Sequence, residues 1–329
     1  MMTLLHKFSH INSGKLFLFI YLTLSVTHVF AGNFNNLNET YEEIEDDLLE
    51  NNYNIPIYLQ SEATKNALRG DVYGIIYHTH KTVSENLASL SSWCEIMPLH
   101  LNIKACTYQY INDKCKLIFY SGRKFYEKAD DVYHLDYEFK VPALNKNYFN
   151  ASLISKKGPL DTTDYLITVE AIPLTDNSTF FHLAYEYKYG FWTRLAMSTY
   201  FSTLGHKKVG FTSKGKDKKG NPLYVKGIRG VIERNSMRYY FAIQSYLDTQ
   251  KDPIEIRFKQ RISNWFDLTE KHHKQLYEMD KKDYLKYKNR ERQDQVRLQK
   301  SIYNNKAVAL TNTDKACLAL NETEMELFD

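Results

Sequence analysis

The chain has 329 residues, of which 43% are hydrophobic, and a formal net charge of +4. A chain of this length and composition can bury one large core or two modest ones, which excludes a disordered or fibrous protein. Its 26 tyrosines and 18 phenylalanines supply large buried surfaces, and each tyrosine keeps a polar end that can face water or a cavity.

The N-terminus has the three parts of an export signal. Lys7 and Lys15 precede or open the apolar run 16–30, and small residues follow it as at a cleavage site. A retained membrane anchor is the alternative, but the run is shorter than the roughly 20 residues that a spanning helix needs. We therefore predict that residues 1–31 are a signal peptide and that the mature protein is exported, to the periplasm or beyond the cell.

Charge is distributed unevenly along the chain. Residues 33–50 contain seven acids and no Lys or Arg, whereas residues 206–300 contain 24 Lys and Arg against 12 Asp and Glu. We interpret 32–67 as an acidic leader, extended or partly helical, and 206–300 as a basic helical extension that packs on the domain before it. Such a basic surface can contact an anionic membrane peripherally, although a solvated helix surface is the plainer interpretation.

Residues 72–204 predict one strand, a short helix, six more strands and a final helix. The segment 133–141 is the clearest strand, because apolar and polar residues alternate along it, as they do when one face is buried. The predicted strands are 72–78, 101–110, 115–120, 133–141, 148–155, 164–174 and 178–188, and the predicted helices are 82–93 and 191–204.

The rest of the chain predicts more helix. Two short extended pieces, 209–212 and 223–226, flank a lysine-rich loop. Asn235 or Ser236 can cap a helix that runs to about 247, and Asp252-Pro253 can open a longer one. Residues 280–300 are helical by composition but have no apolar face, and 301–329 are predicted to be a disordered tail.

The order of elements over 68–205 resembles the helix-grip domains of the START and polyketide-cyclase-like (SRPBCC) superfamily. The resemblance implies an α+β fold, in which a curved antiparallel sheet wraps around a C-terminal helix; here a helical extension follows. Such domains mostly bind lipids, sterols, quinones or other hydrophobic molecules, and a minority are cyclases, hydrolases or dehydratases. Short strings also look like those of an uncharacterised exported proteobacterial family: 93–94, 102–106, 158–160, 209–212 and 229–240.

A helix-grip sheet can enclose a space that one face of each strand would line. Tyrosine hydroxyls in an apolar hollow would orient a hydrophobic ligand through a few hydrogen bonds, whereas a filled core is the alternative. The residues assigned to the inner face are Tyr133, Leu135, Tyr137, Phe139, Tyr165, Ile167, Val169, Phe181, Leu183, Tyr185 and Tyr187.

Segment 227–240 concentrates arginines at a predicted helix start. Backbone amides there, with Arg229, Arg234 or Arg238 beside them, could hold a carboxylate or phosphate head group. Structural ion pairs are the other interpretation. The candidate ligand-binding residues are therefore Tyr133, Tyr137, Phe139, Tyr165, Tyr185, Tyr187, Arg229, Arg234, Arg238 and Tyr239.

All four cysteines lie beyond the predicted signal peptide, so disulfides are plausible. Cys106 and Cys115 flank a predicted turn and are the first choice, with Cys94–Cys106 nearly as reasonable.

No cysteine pair has zinc-knuckle spacing, and the pair His272-His273 matches no metalloprotease motif, so we predict no metal. Neither a nucleophile elbow nor a glycine-rich nucleotide loop is present, and we predict no cofactor and no nucleic-acid partner.

Together these patterns predict an exported, non-enzymatic protein that binds a hydrophobic or lipid-like small molecule in a helix-grip cavity. Two alternatives stay open: a hydrolase or cyclase-type enzyme that uses the same cavity, and a surface protein-interaction module.

Overall fold

The computed structural model describes residues 34–51, 53–111, 114–202 and 205–305. The predicted signal peptide, and residues 306–329 of the predicted tail with Cys317, lie outside the described residues. Residues 301–305, also predicted to be disordered, are helical. The strands are β1 (Ile57–Ala63), β2 (Ala67–Ile76), β3 (Ile103–Ile111), β4 (Lys114–Ser121), β5 (Tyr133–Leu144), β6 (Phe149–Lys157), β7 (Thr162–Thr175), β8 (Ser178–Tyr189), β9 (Val209–Lys216) and β10 (Pro222–Lys226). The helices are α1 (Phe34–Leu49), α2 (His80–Leu87), α3 (Leu90–Ile96), α4 (Phe191–Ser202), α5 (Gly227–Asp248), α6 (Ile254–Glu270), α7 (His273–Leu276) and α8 (Lys281–Asn305).

Eight strands form one antiparallel sheet in the order β1-β2-β8-β7-β6-β5-β4-β3. Helices α2 and α3 follow β2, and the six strands after them form a meander whose last member returns beside β2, with Val72 opposite Leu183. This is the helix-grip arrangement, and the predicted α+β fold is confirmed. Strand β1 was not predicted; it extends the edge by pairing with β2, so that Leu59 lies opposite Val72.

Helix α5 lies against the inner face of the sheet, whereas the sequence had assigned the closing position to α4. Ile232, Met237 and Phe241 of α5 are buried in the main core. On α4, Phe191 is 62% exposed and Leu195 is 49% exposed. The assignment of α4 was wrong because apolar periodicity reports that a helix has an apolar face, but not which surface that face meets.

Two glycines allow α5 to approach β2 closely. A Cβ atom at Gly70 would lie 2.5 Å from Ser236 Oγ, and one at Gly74 would lie 2.2 Å from Tyr240 Oη. Neither separation is possible between real atoms. Glycine at these two strand positions therefore sets the distance between the sheet and the helix.

Helix α5 begins at Gly227, about two turns before the predicted cap at Asn235 or Ser236. Gly227 has φ +64, a left-handed conformation that lets the chain turn from β10 directly into the helix. Ser236 is fully buried and donates its hydroxyl to the Gly70 carbonyl oxygen at 3.3 Å. Its capping chemistry is thus used in packing, which explains the error.

Helix α8 presents a polar stripe to the sheet. Tyr284, Lys288, Glu291, Gln295 and Gln299 are all buried, although four of them are polar. They recur at helical spacing, so they lie on one face. The sequence showed no apolar face here because the buried face is polar.

The polar stripe satisfies the backbone of edge strand β3. Gln295 accepts a hydrogen bond from the Cys106 amide at 2.9 Å and donates one to the Cys94 carbonyl oxygen at 3.0 Å. One helical turn on, Gln299 binds both the amide and the carbonyl oxygen of Tyr108, at 2.9 and 3.0 Å. Gln299 thus takes the place of a neighbouring strand, and Gln295 joins β3 to α3.

A disulfide joins Cys94 to Cys106, with the Cα atoms 4.8 Å apart. It links the end of α3 to β3 and confirms the second of the two pairings considered. The first choice, Cys106–Cys115, is wrong. Cys106 lies opposite Phe119 and Cys115 lies opposite Tyr110, so four residues of strand, roughly 13 Å, separate them, which is beyond disulfide reach.

We expect Gln295→Leu to lower the free energy of unfolding by about 1 to 3 kcal/mol, because it leaves a buried amide and a buried carbonyl without partners. Gln293→Leu on the exposed side of α8 is the matched control and should change it by no more than about 0.5 kcal/mol. Urea denaturation measures both values. Equal effects of the two substitutions would contradict the assigned role of the stripe.

Gly74→Ala should destabilise the fold by about 1 to 3 kcal/mol, since the added methyl group overlaps the Tyr240 hydroxyl. The cost should be smaller in a Tyr240→Phe background, where that oxygen is absent. A double-mutant cycle from denaturation midpoints gives the coupling between the two positions. A cost that is the same with and without the Tyr240→Phe substitution would argue against the close approach of α5.

Candidate functional site

Five tyrosines meet on the inner side of the sheet, and we call them the tyrosine cluster: Tyr137 of β5, Tyr165 of β7, Tyr185 and Tyr187 of β8, and Tyr239 of α5. The rings of Tyr165 and Tyr187 stack at 5.0 Å, and those of Tyr185 and Tyr239 meet edge to face at 5.2 Å. Strand alternation places the four sheet residues on one face, and α5 supplies the fifth.

The tyrosine cluster is buried but not fully sealed. Its members keep between 3% and 8% of their surface accessible. Leu153, Val169 and Leu183 of the same sheet are 0% exposed. The cluster therefore keeps a little contact with solvent.

The hydroxyl groups of the cluster are unevenly paired. Tyr165 donates to Thr162 Oγ1 at 2.9 Å. The hydroxyls of Tyr137 and Tyr187 make no hydrogen bond with any residue that the structure describes, yet neither is among the fully sealed atoms that lack a partner. Because buried hydroxyls normally find partners, these two mark positions where another molecule can supply one.

Burial keeps these hydroxyls protonated. It raises the pKa of Tyr137 and Tyr185 well above the ordinary value of 10.0, and the neighbouring phenols add to the effect. The pKa of Tyr187 is raised for the same reason. At neutral pH the cluster is uncharged, so it suits a neutral or largely apolar partner.

His100 lies beside the cluster and stacks on Tyr239 with ring centroids 4.8 Å apart. Burial, together with the positive charges of Arg238 and Lys288, lowers the pKa of His100 well below 6.5. Its imidazole is therefore neutral at physiological pH. Its Nε2 atom is sealed from solvent and has no hydrogen-bond partner among the described residues.

Two residues predicted for the inner face lie apart from the cluster. Tyr133 opens β5 and is 41% exposed. Phe139 is buried but packs 6.4 Å from the ring of Trp93, near α3. Their contribution to ligand binding stays a prediction.

The three predicted head-group arginines are engaged with the protein itself. Arg229 Nε donates to Ser61 Oγ at 2.7 Å, and Arg234 Nη1 donates to the Val209 carbonyl oxygen at 3.0 Å. Arg238 binds Glu278 at 3.0 Å. Because α5 starts earlier than predicted, Arg234 and Arg238 lie within the helix body, where backbone amides are already paired.

The opposite face of the sheet carries a buried charged group that the sequence analysis missed. His182 of β8 lies between Asp71 of β2 and Glu170 of β7, with each ring nitrogen 2.9 Å from a carboxylate oxygen. Tyr73 stacks on the imidazole at 4.2 Å. A histidine within the long apolar strand 178–189 was the available signal, but its partners lie 12 and 111 residues away.

Burial disfavours the charge on His182, but the two carboxylates outweigh it and raise the pKa of the imidazole above 6.5. Burial likewise opposes ionisation of Asp71 and Glu170. Their hydrogen bonds to His182, with Arg69 also bound to Asp71, nevertheless lower the pKa of both carboxyl groups. Both ring nitrogens are occupied, so the group is a structural ion cluster rather than an acid or base for a substrate.

This cluster should make stability depend on pH. The raised pKa of His182 contributes stability that is present below about pH 6.5 and is lost as pH rises through the folded-state pKa. The lowered pKa values of Asp71 and Glu170 contribute stability that is lost in acid. We expect His182→Gln to cost about 3 to 5 kcal/mol near pH 6, because two buried carboxylates lose their counter-charge.

Urea midpoints from pH 5 to 9 measure the effect, with exposed His134→Gln as the control. The difference between wild type and His182→Gln should shrink as pH rises, whereas the control should follow the wild type. A difference that is constant across the range would show that folding does not raise the pKa of His182.

Other buried carboxylates are also saturated. Glu233 accepts hydrogen bonds from Ser61 Oγ at 2.6 Å and from the amides of Phe211 and Thr212 at 2.6 and 3.0 Å.

Among the described residues, no group of three or more His, Cys, Asp and Glu is arranged to hold a metal ion. Across the same part of the chain, no helix combines the length and apolarity needed to cross a membrane.

Comparison with known proteins finds only distant structural similarity. No protein-family model matches the chain, and neither does any curated protein. A START superfamily protein from Mycobacterium smegmatis is 15% identical, covers 43% of this chain and 90% of its own, and has a TM-score of 0.29. A conserved protein from Geobacillus kaustophilus is 12% identical over 55% of this chain and 95% of its own, with a TM-score of 0.33.

Truncated norcoclaurine synthase from Thalictrum flavum is 12% identical over 39% of this chain and 79% of its own, with a TM-score of 0.28. At these TM-scores the likeness carries no argument by itself, so the assignment rests on the strand order described above. That order gives the chain a START-like, helix-grip fold. The narrower likeness to an exported proteobacterial family stays a prediction.

Proposed function

We propose that this is an exported, non-enzymatic protein whose tyrosine cluster binds a mostly apolar small molecule that carries one or two hydrogen-bonding groups. The observation that carries the proposal is the pair of hydroxyls on Tyr137 and Tyr187, which lack protein partners among the described residues and are not sealed from solvent.

The hydroxyls of Tyr137 and Tyr187 are not sealed from solvent, so each can bond water when no ligand is bound. A ligand that replaces this water with its own polar group keeps the hydrogen bond, and its apolar part gains about 25 cal/mol for each Å² that it buries against the rings. Small-molecule sites are usually lined by many apolar side chains and a few polar groups.

Export supports a carrier or sequestering role and rests on the sequence of residues 1–31 alone. Peripheral membrane contact by the basic C-terminal region has less support. Several of its cations are already paired: Lys288 with Glu291 at 2.6 Å, Arg297 with Asp130 at 2.6 Å, and Lys281 with Asp267 at 2.6 Å.

We expect the double variant Tyr137→Phe/Tyr187→Phe to bind a polar-headed apolar ligand about tenfold more weakly, which corresponds to about 1.4 kcal/mol. It should unfold at the same denaturant concentration as the wild type or a higher one, because no protein hydrogen bond is lost. Displacement of Nile red by dodecanol, cholesterol and decylubiquinone measures affinity, and urea denaturation measures stability.

Tyr240→Phe is the matched control: the Tyr240 hydroxyl also makes no hydrogen bond with a described residue, but it lies against Gly74, outside the tyrosine cluster. The substitution should leave affinity unchanged. Native mass spectrometry of the purified protein then tests whether a molecule is retained. If the wild type retains nothing and displaces no probe, or if the double variant binds as well as the wild type, the proposal fails.

A further inference from the structure

A second cleft lies beyond the edge of the sheet, between α3, α6 and α8, away from the tyrosine cluster. Its volume is about 60 Å³, and its charged lining residues are Glu95, Arg257, Arg261 and Arg292. One water needs about 10 to 15 Å³ measured in this way. The space is therefore large enough for a group the size of a phosphate or carboxylate.

Positive charge exceeds negative charge in this cleft. Glu95 accepts hydrogen bonds from Arg261 Nη1 at 2.6 Å and from Arg292 Nη1. Arg257 instead donates to the backbone carbonyl oxygen of Asp252, at 2.9 and 3.1 Å. Glu95 is the one carboxylate among the described residues that line the cleft. Three cations against one anion leave an excess of two positive charges.

The neighbouring cations disfavour the charged form of Arg261. Arg261 is almost completely buried. Burial lowers its pKa, Glu95 and Tyr246 oppose that shift, and the charges of Arg292 and Arg257 add to it. A further anion in the cleft would offset this repulsion, as anions do beside clustered guanidinium groups.

Arg292 is placed to meet such an anion. Its side chain is 24% exposed, and the guanidinium group has five N–H donors. Beyond Glu95, its remaining N–H groups have no hydrogen-bond partner among the residues that the structure describes. A fork of free donors suits the two oxygens of a carboxylate or phosphate.

The other walls of the cleft are partly apolar. Phe258 and Ile254 of α6 and Val296 of α8 line it, and the guanidinium of Arg292 lies 5.3 Å from the ring of Phe258. An apolar group attached to the anion would bury surface here.

We infer that this cleft binds an oxyanion with a short apolar group, such as an alkyl phosphate or alkyl carboxylate. This site is separate from the tyrosine cluster, which takes an uncharged molecule. The anion neutralises the excess charge of the three arginines, and its apolar group lies against Phe258 and Val296.

Calorimetric titration of the full chain with hexyl phosphate, inorganic phosphate and hexanol tests the inference. Hexyl phosphate should bind most tightly, phosphate more weakly, and hexanol not measurably. Arg292→Gln should weaken hexyl phosphate binding by about tenfold or more, because it removes a charge-assisted hydrogen-bonding fork. Arg297→Gln removes the same charge from the same helix outside the cleft and should have little effect.

Ser91→Glu provides a test that removes no cation. Ser91 lines the cleft, so a glutamate there supplies the anion internally; it should abolish hexyl phosphate binding and raise the melting temperature. Sedimentation with phosphatidic acid vesicles distinguishes a lipid head group from a free anion. If the cleft binds a lipid head group, the vesicles should carry down the wild type but not Arg292→Gln. Equal loss of binding in Arg292→Gln and Arg297→Gln, or no binding of hexyl phosphate to the wild type, overturns the inference.

Discussion

The backbone of strand β3 must find hydrogen-bond partners, and the way it does so determines much of the C-terminal half. An open strand edge is a liability, because its unpaired amides and carbonyl groups can pair with another chain. Gln299 of α8 binds the amide and carbonyl oxygen of Tyr108 as a strand would, and Gln295 accepts from the Cys106 amide while it donates to Cys94 of α3. Lys288 donates to the carbonyl oxygens of His100 and Ile103. Helix α8 is held there by polar contacts, and α6 packs between it and α5.

The same arrangement gives the two proposed sites opposite character. On the inner face, glycines of β2 let α5 pack closely on the sheet, and the tyrosine cluster is uncharged. Beyond the edge, Arg292 of α8 meets Arg261 of α6 over Glu95, and the cleft there is cationic.

Local patterns predicted most of the frame. Strand β5 was recognised because residues such as Leu135 and Tyr137 alternate with polar ones, and burial follows the same alternation. Helix α6 was recognised from Asp252-Pro253 and its apolar stripe, and it begins at Ile254. In contrast, the buried His182 group could not be predicted, because its three members come from β2, β7 and β8 and meet only when the sheet has formed.

The sequence by itself determined the strands other than β1, most of the helices and the tyrosine-bearing face, since each depends on periodicity within a few neighbouring residues. Tertiary structure decided which helix the sheet holds, which cysteine pairs with Cys106, and why the polar residues of α8 are buried. These outcomes depend on contacts between residues far apart in the chain. A glutamine that replaces a strand partner has the same local sequence pattern as one in water, and only the position of β3 distinguishes them.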